Sequence, residues 1–246
     1  MTEFRDWYYG IPFFTRYWLS LTVGLSILAK FNLLDFRYLI LDIGAFINRF
    51  HLWRPATALF YYPITPSTGF HFLVNCYFLY SYSERLETGI FAGKPADYFT
   101  MLLFNWLVCI GIGILVGLSY VMDPMVISVL YVWCQLNKDV IVSFWFGTRF
   151  RAMFLPWVLL AFNVIVNGGG VEEFLGILVG HLAFFLIFKY PQEFGGPALL
   201  TPPAILKKYF PDFRRPNNFG PAAAAPTRAP VPEGHQWGRG QTLGGL

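Results

Sequence analysis

Six apolar runs divide the chain, at residues 17–32, 70–82, 98–117, 125–137, 152–166 and 174–188, and most of the charge falls in the stretches between them. The third run belongs to a block from Tyr98 to Met122 with no Lys, Arg, Asp or Glu, longer than the roughly 20 residues a helix needs to cross a bilayer. The pattern predicts an all-α polytopic membrane protein with six spans. The second, fourth and fifth runs fall near or below the lower limit of about 17 residues. They are therefore expected to be shielded by other helices, to reach water early or to sit in thinned bilayer. Half-length inner helices also suit the lining of a cavity.

Two segments break the pattern. The long first loop, residues 33–67, is rich in Phe, Leu, Ile, Trp and Tyr and carries Arg37, Arg49 and Arg54. An aqueous loop would not look like that. A segment lying in the interface, apolar face down with its basic side chains snorkelling to water, fits better. A seventh span over residues 38–47 is the alternative, and Asp42 interrupts it. From Pro191 the composition changes again: 10 of the 17 prolines and 8 of the 23 glycines lie in residues 191–246. Such a segment cannot bury a core. One or two helical turns over residues 204–210, after Pro202 and Pro203, would present Lys207 and Lys208 to lipid headgroups. The expected organisation is an N-terminal interfacial segment (1–16), a membrane domain (17–190) and a flexible tail (191–246).

Charge orients the bundle. With six spans both termini share a side, and that side receives 14 of the 18 basic residues. The positive-inside rule then makes both termini cytosolic. The net charge of +4 is carried by loops and tail that would face an anionic leaflet, and gives no reason to expect nucleic acid. No secretory signal is read at the N-terminus, because Glu3, Arg5, Asp6 and Arg16 precede the first run and no small-residue cleavage site follows it. Cys76, Cys109 and Cys134 are odd in number and lack metal spacing, so they read as packing residues. No cofactor or metal is expected.

The candidate chemistry lies inside the apolar runs. His71 and Asn75, four apart, project from one helical face and could donate hydrogen bonds to a developing oxyanion or simply bond a neighbouring helix. Gly176 and Gly180 let a partner helix approach closely. His181, directly after them, is an ionisable group where such groups are expensive, and with an exposed serine it would make a Ser-His dyad. None of the eight serines lies in a G-x-S-G context, and Ser128, the one on a suitable buried element, is crowded by Val126, Ile127, Val129 and Leu130. An ion or solute channel would call for more intramembrane charge than one or two histidines.

Six spans, Trp53-Arg54 in an interfacial loop, His71-x-x-x-Asn75, Leu86-Glu87 and Gly176-x-x-x-Gly180 resemble the rhomboid superfamily of intramembrane serine proteases, and the missing nucleophile resembles its inactive branch. Ile11-Pro12, Thr15-Arg16-Tyr17-Trp18, Asn75-x-Tyr77-Phe78-Leu79-Tyr80, Pro95-Ala96-Asp97-Tyr98, Leu103-Phe104-Asn105-Trp106, the block from Ser128 to Trp133 and the block from Phe144 to Phe150 resemble the derlin family. In the tail, Trp237-Gly238-x-Gly240-x-x-Leu243 resembles the SHP box by which derlins recruit the valosin-containing AAA+ ATPase: an aromatic and an aliphatic anchor on a flexible strand.

The resemblance implies an endoplasmic reticulum membrane protein that helps move misfolded lumenal and membrane proteins to the cytosol for degradation without cutting them. It would work beside a membrane ubiquitin ligase complex, alone or as a homo- or hetero-oligomer of derlins. An active rhomboid-type protease using Ser128 and His181 is the alternative. Trp53, Arg54, His71, Asn75, Glu87, Gly176, Gly180 and His181 would keep the architecture of the protease fold.

Overall fold

A computed structural model describes residues 2–143, 147–195 and 199–213. The block from Phe144 to Phe150 lies only partly within these ranges. The SHP-box-like residues Trp237, Gly238, Gly240 and Leu243 lie outside them.

The described chain is mostly helical. A short helix α1 (Thr2–Gly10) meets α2 (Phe13–Lys30) at a bend of 115° around Ile11 and Pro12. The first loop contains a 3-10 turn (Phe36–Tyr38) and two short helices, α3 (Ile43–Asn48) and α4 (Arg54–Phe60). Then come α5 (Gly69–Arg85), a π-turn (Leu86–Ile90), α6 (Pro95–Val116) and α7 (Met122–Leu136). A two-stranded antiparallel ribbon pairs β1 (Ile141–Ser143) with β2 (Arg149–Arg151), with Val142 opposite Phe150. Helices α8 (Leu155–Asn167) and α9 (Val171–Phe184) follow, and a π-turn (Phe185–Lys189) joins α9 to α10 (Tyr190–Phe194). A last short helix, α11, spans Ala204–Tyr209.

Each expected apolar run coincides with a helix. Among the described residues two helices, Pro95–Val116 and Val171–Phe194, are long and apolar enough to cross a membrane, or three if the bent α1–α2 pair counts as one span, fewer than the six spans expected. Sequence marks their ends locally. Pro95 opens α6, where its missing N–H costs nothing, and Gly117 closes it at φ 82°, a left-handed cap that glycine adopts without strain.

Helix α7 is the axis. Every residue from Met122 to Cys134 is buried, as expected for a helix apolar on all faces. Its 15 residues are short because other helices enclose them. Helix α8 differs: Trp157, Val164, Ile165 and Val166 stay exposed along it, so of the alternatives expected of the short runs α7 takes the shielding by other helices and α8 keeps an outward apolar face. Helix α9 packs against α7 through its glycines. A Cβ on Gly176 would stand 2.7 Å from both Ile127 Cβ and the Pro124 carbonyl oxygen, and one on Gly180 would stand 2.7 Å from the Ser128 carbonyl oxygen and Tyr131 Cβ.

The first loop folds onto the bundle as short helices and turns rather than as one continuous helix over residues 38–47. Asp42, which interrupts the apolar stretch, caps α3 by accepting from Gly44 N at 2.9 Å and Ala45 N at 3.3 Å. Leu41 N donates to Ser119 O, and Tyr62 N to Ser26 Oγ, tying the loop to the α6–α7 turn and to α2. Phe31, Leu33, Phe50, Leu52 and Trp53 remain outward-facing, an apolar fringe suited to an interface.

Ordered structure continues past the expected boundary at Pro191. Phe210 stacks among Phe13, Phe14 and Phe99 at ring-centroid distances of 5.1 to 6.1 Å, and Phe213 N donates to Gly93 O. Aromatic side chains anchor a segment that its prolines and glycines alone would leave without a core.

Candidate functional site

The site grows from the end of the bundle where α5, α7 and α9 begin. His71 and Asn75 lie one turn apart on α5, and the loop delivers Tyr62 beside them. Tyr62 Oη lies 2.7 Å from His71 Nδ1, and Asn75 Nδ2 lies 3.2 Å from the same nitrogen. The Asn75 amide nitrogen can only donate, so Nδ1 accepts and the ring proton is assigned to Nε2. Nε2 faces Glu173 Oε1 on α9 at 3.7 Å. The second amide hydrogen of Asn75 goes to Asp123 Oδ1 on α7, and Asn163 on α8 donates to Glu173 Oε1. Asp123 and Glu173 are 2% and 3% exposed, so this is a polar knot inside an apolar bundle. Four helices meet in it.

The knot decides what His71 and Asn75 can do. An amide nitrogen carries two hydrogens. Both are spent within the protein, one on Asp123 and one on His71, and neither is left for an oxyanion. The pair bonds neighbouring helices instead.

Ser128 and His181 are likewise committed apart from each other. Ser128 Oγ donates to Met125 O at 2.7 Å, accepts from Asn105 Nδ2 at 3.0 Å and is wholly buried. His181 Nδ1 pairs with Tyr131 Oη at 2.9 Å, joining α9 to α7 just beyond the Gly180 contact. A nucleophile needs its base within hydrogen-bond reach. Here each group has another partner.

Trp53 and Arg54 organise the first loop. The Trp53 ring stacks on His51 at 4.5 Å, while Arg54 donates from Nη1 to Ile40 O at 3.0 Å and from Nε to His51 Nδ1 at 3.2 Å. Arg54 is 6% exposed. The snorkelling expected of the loop's basic residues therefore fails for Arg54, whose guanidinium turns inward because a loop carbonyl and an imidazole receive it. Arg54→Leu should strand the Ile40 carbonyl at a cost of about 1–3 kcal/mol. Limited proteolysis should then cut within residues 33–53 several-fold faster, while the helices stay protected.

Glu87 acts at the opposite end. Its carboxylate accepts from Phe14 N and Thr15 N, both at 3.0 Å, and from Thr15 Oγ1 at 2.8 Å, which closes the first turn of α2. Burial lifts this carboxyl above its ordinary range, and the three donors pull against that shift. Thr15 Oγ1, Ser83 Oγ and Tyr98 Oη continue the chain of hydrogen bonds to α5 and α6.

A model of the Der1-like family matches residues 11–204. Derlin-1 of Homo sapiens is 49% identical over 249 aligned positions covering 99% of each chain. The chain belongs to the derlin family. Derlin-1 of Caenorhabditis elegans is 46% identical over 245 positions, again 99% of each chain, and Derlin-1 of Drosophila melanogaster 44% over 241, 97% of each. As a derlin, it is a membrane protein of the endoplasmic reticulum with a role in ER-associated degradation.

Asp123 and Glu173 were not among the residues the sequence singled out in this derlin. They add two buried acids to the one or two histidines against which a channel was weighed. The signal was available: Asp123 directly follows the charge-free block, and Glu172-Glu173 follows Gly168-Gly169-Gly170. Both read as ordinary first-turn acids at helix N-termini. Among the described residues, no group of His, Cys, Asp and Glu is arranged to hold a metal ion.

Proposed function

We propose that this derlin is a non-catalytic six-span protein that aids passage of misfolded lumenal and membrane proteins to the cytosol. Both termini face the cytosol in this reading, residues 1–16 lie in the interface, and the membrane core runs through residues 17–190. The tail (191–246) carries the ATPase-recruiting motif. One observation carries the non-catalytic part: the rhomboid-like positions His71, Asn75, Ser128 and His181 are bonded to Tyr62, Asp123, Asn105 and Tyr131, so the core's polar groups hold helices together.

The short, enclosed α7 and a polar knot within an apolar bundle support a core that lowers the several-kcal/mol cost of moving polar backbone through lipid. Trp237, Gly238, Gly240 and Leu243 would dock on the AAA+ ATPase, and the tether would raise that motor's effective concentration at the membrane. A membrane ubiquitin ligase and other derlins are its proposed neighbours. The test of the tail is direct. Trp237→Ala with Leu243→Ala should reduce ATPase capture at least tenfold in a mild-detergent pull-down while leaving the melting temperature of the core unchanged. Undiminished capture would refute the motif.

A further inference from the structure

A cavity of about 240 Å³ lies between α5 and α8, walled by Phe70, Val74, Phe78, Leu159 and Val166. Its polar lining comes from Ser67, His71, Asn75, Asn163 and Glu173. Glu173 is 3% exposed, yet among the described residues only one of its oxygens is used: Oε1 takes the Asn163 amide and faces His71, while Oε2 is buried with no hydrogen-bond partner. Buried polar atoms are nearly always paired, and an unmade bond to a charged group is among the most costly. Oε2 is a vacant acceptor on a residue that lines the cavity.

Charge and size define what would fill it. The described ion pairs are His71 with Glu173, Arg151 with Asp139 and Lys189 with Glu193, so neither Asp123 nor Glu173 meets a Lys or Arg. Glu172 adds a third carboxyl beside them. The surplus is acidic, with His71 as its sole counter-group among these pairs. The volume falls below the roughly 300–1,000 Å³ of small-molecule sites, which suits one side chain better than a cofactor. Apolar walls leading to an acceptor match a methylene stem with a charged head.

We propose that this cavity receives a single Lys or Arg side chain from the membrane segment of a client, with its head on Glu173 Oε2. A basic residue is among the costliest to hold in hydrocarbon, so such segments gain most from an acidic receptor. The proposal rests on the reading that this derlin handles clients.

The test uses the full chain in microsomes from cells lacking their own derlins, with a photo-crosslinking residue replacing Val166 at the cavity mouth. Single-span reporters carry Lys, Leu or Glu at each of three depths. The Lys reporter should crosslink about tenfold more than Leu or Glu at one depth, the worth of one charge-assisted hydrogen bond. Glu173→Gln should bring it down to the Leu level, and Glu173→Asp should retain a preference. Equal labelling of Lys and Leu reporters in the wild-type chain overturns the site, as does a Lys preference that survives Glu173→Gln. Should Glu173→Gln fail to fold, the wild-type comparison of the three reporters decides alone. Degradation of a soluble lumenal client is followed in the same cells. If it proceeds equally with and without the chain, the client-handling reading falls as well; if it depends on the chain while the reporters label equally, only this site falls.

Discussion

Gly180→Leu should unseat α9 from α7 and lower the melting temperature of the purified protein by several degrees. Even a Cβ at this position meets a carbonyl oxygen of α7 at 2.7 Å, and that helix is buried along its length and has no room to retreat. Overpacking of this kind costs about 1–3 kcal/mol, and a full leucine belongs at or above the upper end. At roughly 2–4 °C per kcal/mol for a chain of this size, the shift should be about 6–12 °C in mild detergent. Gly176→Leu should behave alike, since Pro124 O and Ile127 Cβ stand at the same 2.7 Å. Gly111→Leu supplies the control: nothing lies within 4 Å of a Cβ there, and the melting temperature should hold. Equal shifts at Gly180 and Gly111 would contradict the close approach.

Glu87→Ala comes second. Its carboxylate is the acceptor for two first-turn N–H groups of α2 and for a buried threonine hydroxyl, and alanine leaves all three without it. The loss should be about 2–4 kcal/mol, from unsatisfied buried donors together with a forfeited anion at a helix N-terminus. Glu87→Gln keeps one acceptor oxygen and should lose about half as much. Proteolysis at the bend between α1 and α2 should accelerate in step with these losses. Cleavage unchanged in Glu87→Ala would mean that α2 is held by its packing alone.

These two sites differ in how well the chain announces them. The Gly176-x-x-x-Gly180 spacing is local, and its consequence follows from helix geometry. The role of Glu87 is not local, because its partners Phe14 and Thr15 lie more than 70 positions earlier. The same contrast runs through the fold. Helices α2 and α5 to α9 are legible as apolar runs, and α7 declares its burial by being apolar on every face. Asp42 shows the limit: a charge inside an apolar stretch was legible, but its work as a cap depends on the turn that follows it. Arg54 turns inward because the Ile40 carbonyl waits 14 residues away. In the candidate site the His71 and Asn75 spacing was plain, whereas their partner Asp123 lies 48 positions from Asn75, and Glu173 farther still. The positive-inside rule counts Lys and Arg alone, and acids in the first turn of a helix are common. The meaning of Asp123 and Glu173 needed four helices brought together.

The central claim is that this derlin passes clients on without cutting them. The most direct test is the size of a misfolded membrane client recovered on the cytosolic side, with the proteasome inhibited, from cells in which this chain is the sole derlin. Full-length client, at equal yield with wild-type and Ser128→Ala chains, is the predicted result; a fragment cut within the membrane segment that disappears with Ser128→Ala would contradict it.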